Sequence, residues 1–178
     1  QYREAYDLSL KSLNINPLNV ITLGFQGEVL NNLGRFDESI QILKSAIELN
    51  PDYINPRLLA IYLATGKFDL ALRTFNELPT DQQPIWATMT WFAVGDKDKA
   101  NQAEIEMLSQ HARKIISSHD VAVTFSFMKR NDLALDYLEK AVDEKYKMLY
   151  VKTNVFFQPL KQNPRFKAIL ERMTLPLD

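Results

Sequence analysis

The sequence contains no cysteine. It therefore has neither a disulfide framework nor a thiolate nucleophile, and zinc sites that need sulfur are excluded. Two histidines in 178 residues leave little for a metal centre or for acid–base chemistry. His111 and His119 stand eight apart, about two helical turns, with no HExxH-type carboxylate spacing around them. Neither sign of charge is in excess: 21 Lys+Arg against 22 Asp+Glu give a formal net charge of −1. No Lys/Arg cluster relieves that balance, so direct nucleic-acid binding is not expected. Long apolar runs are missing too. "LLAIYLA", residues 58–64, falls far short of the roughly 20 residues that span a bilayer, so membrane insertion is not expected. The lack of cysteine suits a cytoplasmic setting. There is no phosphate-binding glycine loop, because "GFQG", residues 24–27, is too short and lies in a helical segment, and no nucleophile elbow appears. The inventory predicts no enzyme and no cofactor.

What is present is apolar periodicity. The sequence is 46% hydrophobic and 24% charged, enough to bury a sizeable core. In "GRFDESIQILKSAIELNP", residues 34–51, Ile40, Leu43 and Ile47 recur at helical spacing, which places them on one face of an amphipathic helix. "GKFDLALRTFNEL", residues 66–78, repeats the opening of Gly, basic residue, Phe and Asp.

Small residues set the period. Ala5, Ser39, Ala71, Ala100 and Ala134 each sit just inside an amphipathic segment, at successive spacings of 34, 32, 29 and 34. Asp37, Asp69, Asp98 and Asp132 precede four of them by two positions, placed to cap a helix start and to complement its dipole. Gly34, Gly66 and Gly95 supply tight turns, and Pro17 and Pro51 end the second helix of the first two copies. The unit is helix, turn, helix, repeated.

These residues resemble the tetratricopeptide repeat, a helical hairpin with small residues at set positions in both helices and a proline at its end. The matches in the strongest copy are Gly27, Leu30, Gly34, Phe36, Ser39, Leu43, Ala46 and Pro51. The next copy carries Leu59, Tyr62, Gly66, Phe68, Ala71 and Phe75, with Leu78 where a small residue is usual. A third keeps Trp91, Gly95 and Ala100 but has Lys97 and Glu104 at apolar positions, and a fourth recovers through Ala122, Phe125, Ala134, Leu138 and Ala141. The resemblance implies an all-α, right-handed α-solenoid of TPR-like hairpins. Residues 1–19 form the second helix of a truncated repeat, followed by repeats at 20–51 and 52–80, a divergent repeat at 81–114, a repeat at 115–147 and a C-terminal cap at 148–178. In the cap, Asn163 and Pro164 start a helix whose Phe166, Ile169 and Leu170 point inward. "FQPLKQNPRFKAILERM" is similar to the segment that closes such repeats in bacterial regulators. A chain that opens at Gln1 within a hairpin is expected to belong to a longer protein.

The resemblance also implies a protein-interaction role, with a peptide or partner domain lying on a concave surface lined by the first helix of each repeat. The partner-binding candidates in that register are Glu28, Asn31 and Asn32; Tyr53, Arg57 and Leu63; Ile85, Met89 and Phe92; and His119, Val123 and Phe127. The face is polar at one end and apolar at the other. The family's carboxylate clamp falls on Gly24, Phe25, Glu28, Tyr53 and Arg57, of which only Arg57 suits it, so a peptide-terminus clamp is not expected. His111 is expected in solvent, and His119 on the groove near a helix start. Phe92 and Phe127 with Met89 either form an open apolar groove, hold a small apolar molecule as a sensing domain would, pack within a tightly wound superhelix, or are covered by Phe156 and Phe157 of the tail.

Overall fold

The computed structural model describes residues 2–146, 151–152 and 154–173; the remaining residues of the expected C-terminal cap lie outside them. The described residues form helices and connecting turns, with no strand among them, and fall into two compact units, Gln1–Gln83 and Pro84–Asp178.

The first unit holds α1 (Tyr2–Ile15), α2 (Val20–Asn32), α3 (Phe36–Ala46), α4 (Pro51–Ala64) and α5 (Phe68–Asn76). Helices α2 and α3 pack as a hairpin, as do α4 and α5, and α3 lies against α4. Small residues allow the close approach. A Cβ on Gly27 would stand 2.6 Å from Leu43 Cδ2, and the Ser39 hydroxyl donates to the Gly27 carbonyl at 2.5 Å. Ser39, Ala46 and Ala71 have no exposed surface.

The second unit holds α6 (Gln83–Ala93), apart from its first residue, α7 (Lys97–Ala112), α8 (Ser118–Phe127), α9 (Asn131–Asp143), a 3-10 turn at Val155–Leu160 and α10 (Pro164–Arg172). Its core joins Ala122, Phe125, Ala134, Leu138 and Ala141 of the α8–α9 hairpin to Phe157, Leu160, Phe166, Ile169 and Leu170 of the tail. Asn163 caps α10 by accepting from the Arg165 N–H at 2.9 Å, with Pro164 at the first helical position, as the sequence indicates.

Six helices end in the same corner. After α2, the Arg35 N–H returns to the Leu30 carbonyl at 2.9 Å around Gly34, whose φ is 74°. The same six-residue closure follows α4, α6, α7, α8 and α9 around Gly66, Gly95, Lys114, Lys129 and Lys145, all at positive φ. This is the Schellman arrangement, which satisfies carbonyls that a helix end would leave open and needs a left-handed residue.

The corner corrects the expected caps. Because its return bond ends only two residues before each aspartate, the cap position falls on Arg35, Lys67 and Arg130, whose side chains cap nothing. Asp37, Asp69, Asp98 and Asp132 lie in the first turn, where their charge complements the dipole without closing a hydrogen bond to the backbone. In α7 the cap is Asp96, which accepts from the Lys99 N–H at 3.1 Å. That bond, with the Lys99 ammonium, holds its carboxyl below the ordinary range.

Candidate functional site

In the first unit the candidates lie on α2 and α4. Gly24 makes room for the Tyr53 ring: a Cβ there would stand 2.6 Å from Tyr53 Cε1 and 3.3 Å from Arg57 Nε. The Arg57 guanidinium lies over the Tyr53 ring at 3.8 Å from its centroid and donates from Nη1 to the Tyr53 carbonyl at 2.7 Å. Its Nε is 2.9 Å from Glu28 Oε1. Three candidates are thus brought together, with the guanidinium fixed on one face by the ring and on one edge by a carboxylate. Asn31 and Asn32 are half-buried, and Asn31 Oδ1 is enclosed without a hydrogen-bond partner among the described residues. Leu63 does not join them. It is 2% exposed and belongs to the core, because α4 is apolar on more than one face and its periodicity does not say which side turns inward.

In the second unit Ile85 and Phe92 are exposed on α6, at 37% and 43%. Met89 between them is 1% exposed, so it packs inward and offers a partner no surface. Phe92 meets Phe127 of α8 edge-to-face, with centroids 6.1 Å apart, and Phe127 meets Phe156 of the tail in the same way at 5.7 Å. The tail is tied there by the Ser126 hydroxyl, which donates to the Phe156 carbonyl at 2.6 Å. Val123 packs against the core. His119 stacks on Tyr146 at 5.7 Å and meets the edge of Phe157 at 5.8 Å, so the tail covers His119 and part of Phe127 and leaves Phe92 and Ile85 open. Asp120, beside His119, would be pushed up by burial, but hydrogen bonds from His119 and Ser117 outweigh that and hold its carboxyl below the ordinary range.

His111 is not in solvent. It is 9% exposed because the Lys114 corner folds Ile116 back over it: Nδ1 lies 3.0 Å from the Ile116 carbonyl and Nε2 2.8 Å from Lys140 Nζ. It sits in the wall of a cavity of about 680 Å³ shared by the end of α7, the start of α8 and the end of α9. The hairpin register carries no signal for this cavity, since it is made at helix ends. Among the described residues no group of three or more His, Asp or Glu is placed to hold a metal ion, and no helix is long and apolar enough to cross a membrane.

No curated protein matches the sequence. A family model described as tetratricopeptide repeat matches residues 32–90, the stretch that carries the corners at Gly34 and Gly66. The match thus covers part of the chain, and the all-helical fold of the described residues, built of corner-linked hairpins, is consistent with an α-solenoid of such repeats.

Proposed function

We propose that the chain is a non-catalytic interaction module that binds a peptide or partner domain through the exposed face of its first helices, within a bacterial regulator. Tetratricopeptide repeats generally mediate protein–protein interactions and are generally non-catalytic. The observation that carries the reading is Phe92, a large aromatic left 43% exposed beside a second aromatic, Phe127. Rings that are open on one side and braced on the other are the usual anchors of an interface. A small apolar ligand at the same place is less well supported, because Phe156 already fills one side of Phe127.

Peptides selected from a displayed random library on the purified chain supply the test. Their affinity should fall more than tenfold, about 1.4 kcal/mol, in Phe92→Glu. It should be unchanged in Ile105→Glu, whose side chain is 71% exposed on α7. Circular dichroism should be native in both. Peptides that bind Phe92→Glu as tightly as the parent chain would remove this face from the function.

A further inference from the structure

The cavity at the ends of α7 and α9 has an arrangement of charge that the interaction face does not explain. Lys140 and Glu144 are four residues apart at the end of α9, the spacing at which opposite charges on a helix commonly pair. They do not pair with each other. Lys140 Nζ goes to His111 Nε2 at 2.8 Å, and Glu144 Oε2 accepts from the Ser118 hydroxyl at 2.6 Å. Each charge is held toward a different wall by a group that leaves the charge itself uncancelled.

The tautomer of His111 follows from its partners. A carbonyl can only accept, so the 3.0 Å contact with Ile116 puts the proton on Nδ1. Nε2 then carries the lone pair that accepts from the Lys140 ammonium. A neutral imidazole orients Lys140 and takes one of its three N–H groups; the Tyr137 ring stands 5.8 Å from the same ammonium, and neither cancels its charge. Glu144 keeps Oε1. Lys114, an exposed residue, also lines the cavity, and Asp120 is already occupied by Ser117 and His119. Two lysines face two carboxylates, so the lining is neutral as a whole and divided in its parts. An anion alone would face Glu144, and a cation alone would face Lys140. Exposed Ile115 and the Tyr146 ring add apolar wall, and about 680 Å³ lies within the range of small-molecule sites.

We propose that this cavity binds a small zwitterion of the α-amino-acid class, with its carboxylate at Lys140 and Lys114, its ammonium at Glu144 and its side chain against Ile115 and Tyr146. The test uses the full chain and the twenty free amino acids, titrated singly by calorimetry and by amide NMR shifts. Each amino acid that binds is compared with the amine lacking its carboxylate and with the acid lacking its amine. At least one amino acid should bind with Kd of about 1 mM or tighter, and both half-molecules should bind more than tenfold more weakly. Glu144→Gln, which keeps an acceptor for Ser118, should weaken the amino acid more than tenfold without weakening the carboxylate-only analogue. Lys140→Met should do the converse, and if that variant fails to fold, Glu144→Gln alone decides. The proposal is overturned if no amino acid binds, if either half-molecule binds as tightly as the whole, or if Glu144→Gln leaves the affinity of the amino acid intact.

Discussion

A carboxylate and an amide at the start of two helices of the same chain can differ in worth by the one hydrogen bond that only one of them makes. Asn163 accepts from the Arg165 backbone N–H and satisfies a donor that the helix cannot use. Asp37 is 89% exposed and reaches the Lys67 ammonium at 3.1 Å, a contact between solvated charges worth little. Asn163→Ala should therefore cost about 1 kcal/mol, whereas Asp37→Ala should cost only the dipole contribution of an exposed charge, about 0.3 kcal/mol, both read from urea unfolding. Equal losses from the two would restore the aspartates as caps. The residue scale also contains what sequence periodicity misassigns. Ile85, Met89 and Phe92 are spaced as one stripe, yet Met89 is buried and its two neighbours are not. A helix with apolar residues on several sides gives no sign of which side the rest of the chain will take.

Among elements, the tail tests whether charge or apolar burial holds a helix in place. Arg165 of α10 reaches Asp136 at 2.8 Å and Glu139 at 2.9 Å on α9, and these carboxylates raise its pKa further. All three side chains are more than a third exposed, so solvent screens the pairing to less than about 1 kcal/mol. Phe166 is 1% exposed and lies against Phe157 with centroids 6.1 Å apart. Phe166→Ala should cost about 3–5 kcal/mol, and Arg165→Ala less than about 1, both read from urea unfolding. An Arg165 loss as large as that of Phe166 would mean that ion pairs hold the tail. Asn163, Pro164 and the inward residues of α10 were legible beforehand because capping and amphipathic spacing are local. So were the small residues where α2 crosses α3, since close approach demands them wherever they fall. The 3-10 turn was not, because its place is set by α8, through Ser126 and Phe127. The burial of His111 is hidden for the same reason: it depends on a corner and on Lys140 of another helix, neither of which leaves a trace in the residues around it.

At the scale of the whole molecule, each unit carries its own buried interior. Every member of the cluster around Phe125, Phe157 and Phe166 comes from within Pro84–Asp178. Residues 84–178 expressed alone should therefore be helical and lose that helix in one sigmoidal urea transition. A gradual loss of signal would show that this unit depends on the rest of the chain. The six corners are made by one set of backbone bonds but by two residue types, glycine at three and lysine at three. A left-handed lysine costs about 1 kcal/mol more than glycine, an expense that the return bond and the packed hairpin absorb. The matched span, residues 32–90, contains two of the glycine corners and stops before any of the lysine ones. A search keyed on glycine would count half of these six corners: a repeat can lose the letters by which it is recognised while keeping the bonds by which it folds.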